Sequence, residues 1–108
     1  MSEKQRTLSR EISLKGKGLH SGINVTMTFK PAPANHGYKF CRIDLPGKPV
    51  IDALAEHVSE TSRGTTLVHN NASVATIEHV LAAFHGMRVD NALIEINGPE
   101  AQFLEGVL

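Results

Sequence analysis

Residues 23–30, INVTMTFK, alternate without a break between apolar and polar side chains: Ile23, Val25, Met27 and Phe29 against Asn24, Thr26, Thr28 and Lys30. Successive side chains of a strand point to opposite faces, so this period of two specifies a strand with one buried face. Ahead of it, TLSREISLKGKGLHSG reads as a strand over Thr7–Leu14 followed by a turn, because Gly16, Gly18 and Gly22 permit backbone angles that other residues avoid. The two strands form a hairpin with a wide, glycine-rich loop. Pro31 and Pro33 stop the second strand, since proline cannot donate to a ladder, and PANHG is a surface turn. YKFCRIDL is a third strand, ended by Pro46 and Gly47. Further on, Val50–Ala53 is a short strand and Thr65–His69 a β-branched one, with Asn70-Asn71 suited to a tight hairpin turn. SETSRG, between those two, reads as a polar loop.

At Thr76 the period becomes helical. Ile77, Val80, Leu81 and Phe84 fall at i, i+3, i+4 and i+7 and make one apolar stripe. Thr76 is placed to be the N-cap and Gly86 the C′ residue, which predicts a helix over 76–85. ALIEI, after the turn at Asp90-Asn91, is a last strand with Ala92, Leu93, Ile94 and Ile96 largely buried, and NGPE turns the chain again. Strands before and after one short helix indicate an α+β domain: a small, mostly antiparallel sheet packed with that helix. No repeat, low-complexity tract or linker interrupts the 108 residues, so residues 1–108 are expected to be one domain or part of one.

Composition narrows the function classes. Lysines plus arginines equal aspartates plus glutamates at 11 each, which leaves no basic footprint for nucleic acid or anionic lipid. No apolar run approaches the roughly 18–20 residues of a transmembrane helix. MSEKQRTLSREIS lacks the apolar stretch and cleavage site of a secretory signal, so a cytoplasmic location is expected. The single cysteine, Cys41, cannot form an internal disulfide or a thiolate zinc site and reads as a small apolar side chain on a strand.

The chemistry-bearing pair is Glu78-His79, in the first turn of the expected helix. The positive end of a helix favours an ionised carboxylate and a neutral imidazole, the form that binds a metal. The same placement also suits a Glu that only complements the dipole beside a solvated His. A catalytic zinc takes three protein ligands and an open fourth position. His85, six residues past His79, lies about 240° round the helix and cannot share a metal with it. His36, His57 and His69 occupy turn or loop contexts without ligand spacing, and His20 in GKGLHSG sits where glycines let a loop approach a ligand closely. There is no phosphate loop and no nucleophile elbow.

Four blocks in order, GKGLHSG, PAPANHGYKFCRIDL, ETSRGTTL and ATIEHVLAAFHGMRVDNALIEINGPE, resemble the N-terminal part of the UDP-3-O-acyl-N-acetylglucosamine deacetylases, the zinc amidases of lipid A biosynthesis. The resemblance runs from about Arg6 to about Gly106. It implies a hydrolase that removes the N-acetyl group of a UDP-3-O-acyl-N-acetylglucosamine, with zinc as cofactor and iron as the alternative metal. It implies Glu78 as general base and His79 as one zinc ligand. Arg63 and Gly64, in the matching ETSRG, would border the substrate, and His20 falls in a motif that also approaches the site. The other two zinc ligands, the acid that protonates the leaving amine and the acyl passage would come from a C-terminal half that these residues do not contain.

The match departs from the family at its end, where PEAQFLEGVL has Val107 in place of an expected serine and the second helix of the first half is missing. This implies a truncated half-domain, inactive alone, whose uncovered apolar surface favours self-association. The competing expectation is a non-catalytic folded module that binds a partner or serves as a structural unit. Intact TIEH favours the enzyme.

Overall fold

The computed structural model describes residues 5–18, 21–61, 64–69 and 72–101. Strand β1 (Ile12–Lys17) pairs antiparallel with β2 (Asn24–Pro31), from Ile12↔Phe29 to Lys17↔Asn24, so the N-terminal hairpin forms as expected. Its first strand starts later than Thr7. Thr7 makes only an isolated bridge to Asn91, and its hydroxyl donates to the Asn91 carbonyl (2.7 Å) while accepting from the Ala32 amide (2.8 Å). Gly16 and Gly18 do not turn the chain; Gly22 does, at φ +69°. In β2 the alternation is realised from Val25 through Met27 to Phe29, all buried, whereas Ile23 precedes the strand and is exposed.

Strands β3 (Tyr38–Arg42), β4 (Val50–Asp52) and β8 (Ala92–Ile96) complete a five-stranded sheet of order β1-β2-β8-β3-β4. Only the β3–β8 pair is parallel. The register sets Phe29 and Phe40 on either side of Ile94, so three buried side chains cross the sheet side by side. The alternate positions of β8, Leu93 and Glu95, are only half-buried, and Glu95 pairs with Lys30 at 3.1 Å. One face is thus core and the other polar, the usual division in an antiparallel sheet.

A second sheet of order β5-β6-β7 comprises β5 (Val58–Thr61), β6 (Gly64–His69) and β7 (Ala72–Val74), all antiparallel. Strand β5 occupies part of the segment expected to be a polar loop. Its residues Val58, Ser59 and Glu60 are exposed, and little apolar alternation marks the strand. Leu67 and Val74 face each other across β6 and β7 and are fully buried. Arg42, itself buried, ties the sheets together by donating to the Ser73 carbonyl at 2.8 Å. Cys41 is buried on β3, and burial pushes its thiol pKa up.

Helix α1 (Glu78–Gly86) carries the expected stripe: Ile77, Val80 and Phe84 are buried and Leu81 is half-buried. Phe84 meets Phe29 edge-on (centroids 5.7 Å apart) and stacks on Tyr38 (5.1 Å), which anchors the helix over β2 and β3. Both expected caps are displaced. The N-cap is Ile77, whose hydrocarbon side chain can make no cap hydrogen bond, while Thr76 adopts φ +60° and donates its hydroxyl to Glu100 instead. Gly86 remains helical, and the left-handed C′ residue is Arg88 (φ +57°). Val89 N–H to Phe84 O (2.9 Å) and Arg88 N–H to His85 O (3.2 Å) close a Schellman motif. Val89 and Phe84, the positions whose side chains commonly meet in this motif, are both buried. Among the described residues, no helix is long and apolar enough to cross a membrane.

Candidate active site

The site forms where the start of β6 meets the start of α1. Thr65 grips the helix entrance with both backbone groups. Its N–H donates to Oε2 of Glu78 (3.2 Å) and its carbonyl accepts from Ile77 N–H (3.1 Å). One of the first helical N–H groups, which have no partner within the helix, is thereby satisfied by a strand instead of a side-chain cap.

Gly64 stands directly against the carboxylate. Its φ is +85°, and a Cβ built there would lie 2.5 Å from Oε2 and 3.0 Å from Oε1 of Glu78. Any side chain at position 64 would collide with the acid, so glycine is needed both for its backbone angle and for its missing methyl. Oε1 of Glu78 is buried and makes no hydrogen bond among the described residues. Buried polar atoms are nearly always paired, so this acceptor is an exception that sets Glu78 apart from the other described carboxylates.

His79 follows in the same turn and is half-buried. Among the described residues no group of three or more His, Cys, Asp and Glu side chains is placed to hold a metal. His85 is exposed in the last turn, edge-on to Tyr38 (6.3 Å). His57 and His69 lie with ring centroids 4.4 Å apart, and Nδ1 of His57 is 2.8 Å from the Asp52 carbonyl oxygen. His36 contacts the neighbouring Gly37 carbonyl.

Of the other expected site residues, Arg63 and His20 lie outside the described residues. Their flanks do converge on the helix entrance. Ser21 N–H donates to Oε1 of Glu100 (2.7 Å), the other oxygen of Glu100 accepts from the Thr76 hydroxyl (2.7 Å), and Thr76 precedes Ile77 and Glu78 in the chain. Glu100 is fully buried. Sequence reasoning misses it, because a Glu after Asn-Gly-Pro reads as part of a solvated turn. Nothing local signals that residues 99–101 run beside Ala75, with Ala75 N–H to Pro99 O and Ala101 N–H to Ala75 O both at 2.9 Å.

Comparison with known proteins places the chain in a family. Residues 5–107 match the family described as LpxC, UDP-3-O-acyl N-acetylglycosamine deacetylase. A protein of Bacteroides thetaiotaomicron named bifunctional enzyme LpxC/FabZ is 55% identical over 103 residues, covering 95% of this chain and 22% of its own length. A UDP-3-O-acyl-N-acetylglucosamine deacetylase of Myxococcus xanthus is 50% identical over 105 residues, covering 97% of this chain and 33% of its own. The corresponding protein of Methylococcus capsulatus is 44% identical over 103 residues, 34% of its length. The chain therefore spans between about a fifth and a third of the relatives it matches.

Proposed function

From the premise that the chain belongs to the UDP-3-O-acyl N-acetylglycosamine deacetylase family, we propose that it supplies the general base and one metal ligand of a deacetylase acting on a UDP-3-O-acyl-N-acetylglucosamine. The rest of the active site would come from the part of such enzymes that lies beyond the matched segment. The observation that carries this reading is the division of labour in one carboxylate. Oε2 of Glu78 is fixed by Thr65 N–H, while the buried Oε1 keeps an unspent acceptor.

That carboxylate suits a base. With Oε2 held by the Thr65 amide, Glu78 would accept the proton of an attacking water through Oε1. His79, one residue on, would donate a ring nitrogen to the metal. A zinc ion, or iron in its place, would polarise the acetamide carbonyl and acidify the water. Gly64 keeps the space beside the carboxylate clear, and Arg63, its neighbour in the chain, would border the nucleotide sugar together with His20. The acid for the departing amine would belong to the complementary half. A cytoplasmic site of action is part of the same reading.

The test is a chimera in which residues 5–101 replace the matching segment of the Bacteroides thetaiotaomicron relative. Deacetylation by the parent chimera, lost by about a hundredfold or more in Glu78→Ala, is the expected result. A rate within a few-fold of the parent would show that Glu78 is not the base. For the ligand role, metal affinity should collapse in His79→Ala; tight one-to-one zinc uptake surviving that substitution would remove His79 from the centre.

A further inference from the structure

Resting on the function proposed above, we infer that Glu100 is a positioning residue for the Glu78–His79 pair, acting through Thr76. Three observations combine. Thr76 is a β-branched residue at φ +60°, a conformation such residues almost never adopt, and it is buried to 1% exposure. Backbone strain of this kind persists only where the surroundings over-determine it, and it concentrates at functional sites. Here the surroundings are identifiable: the Thr76 hydroxyl donates to Oε2 of the fully buried Glu100 (2.7 Å). The strained residue also stands one position before the N-cap Ile77, so its angle sets the direction in which Glu78 and His79 leave the strand.

The same acid reaches a second element. Its Oε1 accepts from Ser21 N–H (2.7 Å), and a Cβ on Gly18 would lie 2.3 Å from that oxygen. Only a glycine lets the hairpin loop approach the carboxylate so closely. Glu100 therefore joins the glycine loop to the helix entrance and fixes their separation. Burying a carboxylate is costly, and these two acceptor contacts go to the segments that frame the helix entrance.

The experiment uses the chimera, labelled with 15N-threonine, and compares Thr76→Val, Thr76→Ser and Glu100→Gln. Thr76→Val keeps the shape and removes the hydroxyl. It should lower kcat by about ten- to a hundredfold, the scale of a misplacement near 1 Å, with KM little changed. The amide resonance of Thr65, which reports the Glu78 contact, should move with it. Thr76→Ser restores the hydroxyl and should return both kcat and the Thr65 resonance close to the parent. Glu100→Gln should resemble Thr76→Val, and the double variant should be no worse than either single one, as expected for members of one unit. Lower melting temperatures for Thr76→Val and Glu100→Gln, with kcat and the Thr65 resonance unchanged well below the melt, would overturn the inference and leave Glu100 a structural acid. If Glu100→Gln does not fold, the Thr76→Val and Thr76→Ser pair decides alone. An inactive parent chimera would count against the deacetylase reading, and the Thr65 resonance would still decide whether Glu100 positions Glu78.

Discussion

Gly64 and the carboxylate of Glu78 are in contact so close that a methyl group on the glycine would sit 2.5 Å from Oε2. Gly64→Ala therefore does two things. It places an alanine at φ +85°, which costs about 1 kcal/mol or more, and it pushes the carboxylate off the Thr65 amide. In the chimera the variant should lose most of its kcat while binding metal nearly as tightly as the parent, since His79 is not the residue displaced. Steady-state kinetics beside a metal titration checks this. Full kcat in Gly64→Ala would mean that Glu78 works from a different pose.

What was legible in the sequence, and what was not, divides by the range of the interaction. INVTMTFK, ALIEI and the Ile77–Phe84 stripe declare their elements because periodicity reports which side chains are buried, and burial is what holds β2, β8 and α1 together. Strand β5 is hidden because it gains pairing rather than burial, so its polar residues carry no period. Thr76 is misjudged for another reason. Its local preference to cap α1 loses to a buried acid 24 residues on, and no short-range rule weighs such a contact. The Glu78–His79 pair can be picked out as a motif, and Gly64 through the family resemblance. The clamp that joins them needs the register of β6 against the helix entrance.

Arg42 and Asp44 give a prediction about pH. The guanidinium donates from Nε (2.9 Å) and from a terminal nitrogen (2.7 Å) to the two carboxylate oxygens, and these hydrogen bonds hold the Asp44 carboxyl below its ordinary value of 3.8 against the opposing effect of burial. A folded pKa below the unfolded one means stability that is fully present above the unfolded value and lost as pH falls through the folded one. Asp44→Asn should thus cost up to about 1.5–3 kcal/mol at neutral pH, the range for a hydrogen bond to a charged partner. The gap between parent and variant should shrink only below about pH 4, the region of an ordinary carboxylate. Urea melts at pH 7 and pH 3 measure both gaps; equal gaps would show that the pair does not carry the linkage.

Phe84 anchors the helix and with it the base. It is buried, edge-on to Phe29 and stacked on Tyr38, whose hydroxyl in turn donates to the Val89 carbonyl. Phe84→Ala removes the ring from all of these contacts and should cost about 3–5 kcal/mol. Because α1 is joined to the large sheet by this cluster, the loss should also appear locally, as faster hydrogen exchange across residues 78–86. Exchange that quickens equally in β2 and β8 would instead show that the helix and the sheet open as one unit.

The Schellman turn after α1 offers a substitution that should stabilise. Arg88 is exposed and sits at φ +57°, where a non-glycine residue pays about 1 kcal/mol or more and glycine does not. The motif's two hydrogen bonds use backbone atoms only, so Arg88→Gly keeps both. Part of the gain is returned, because glycine loses more conformational freedom on folding. The net effect should be about 0.5 kcal/mol in favour of the variant, the scale of a relieved C′ position, and a rise of a few degrees in Tm. Arg88→Val, β-branched at the same angle, should fall below the parent. Differential scanning calorimetry of the three proteins orders them as Gly above Arg above Val. If Arg88→Gly melts below the parent, the arginine side chain contributes more than its backbone angle costs.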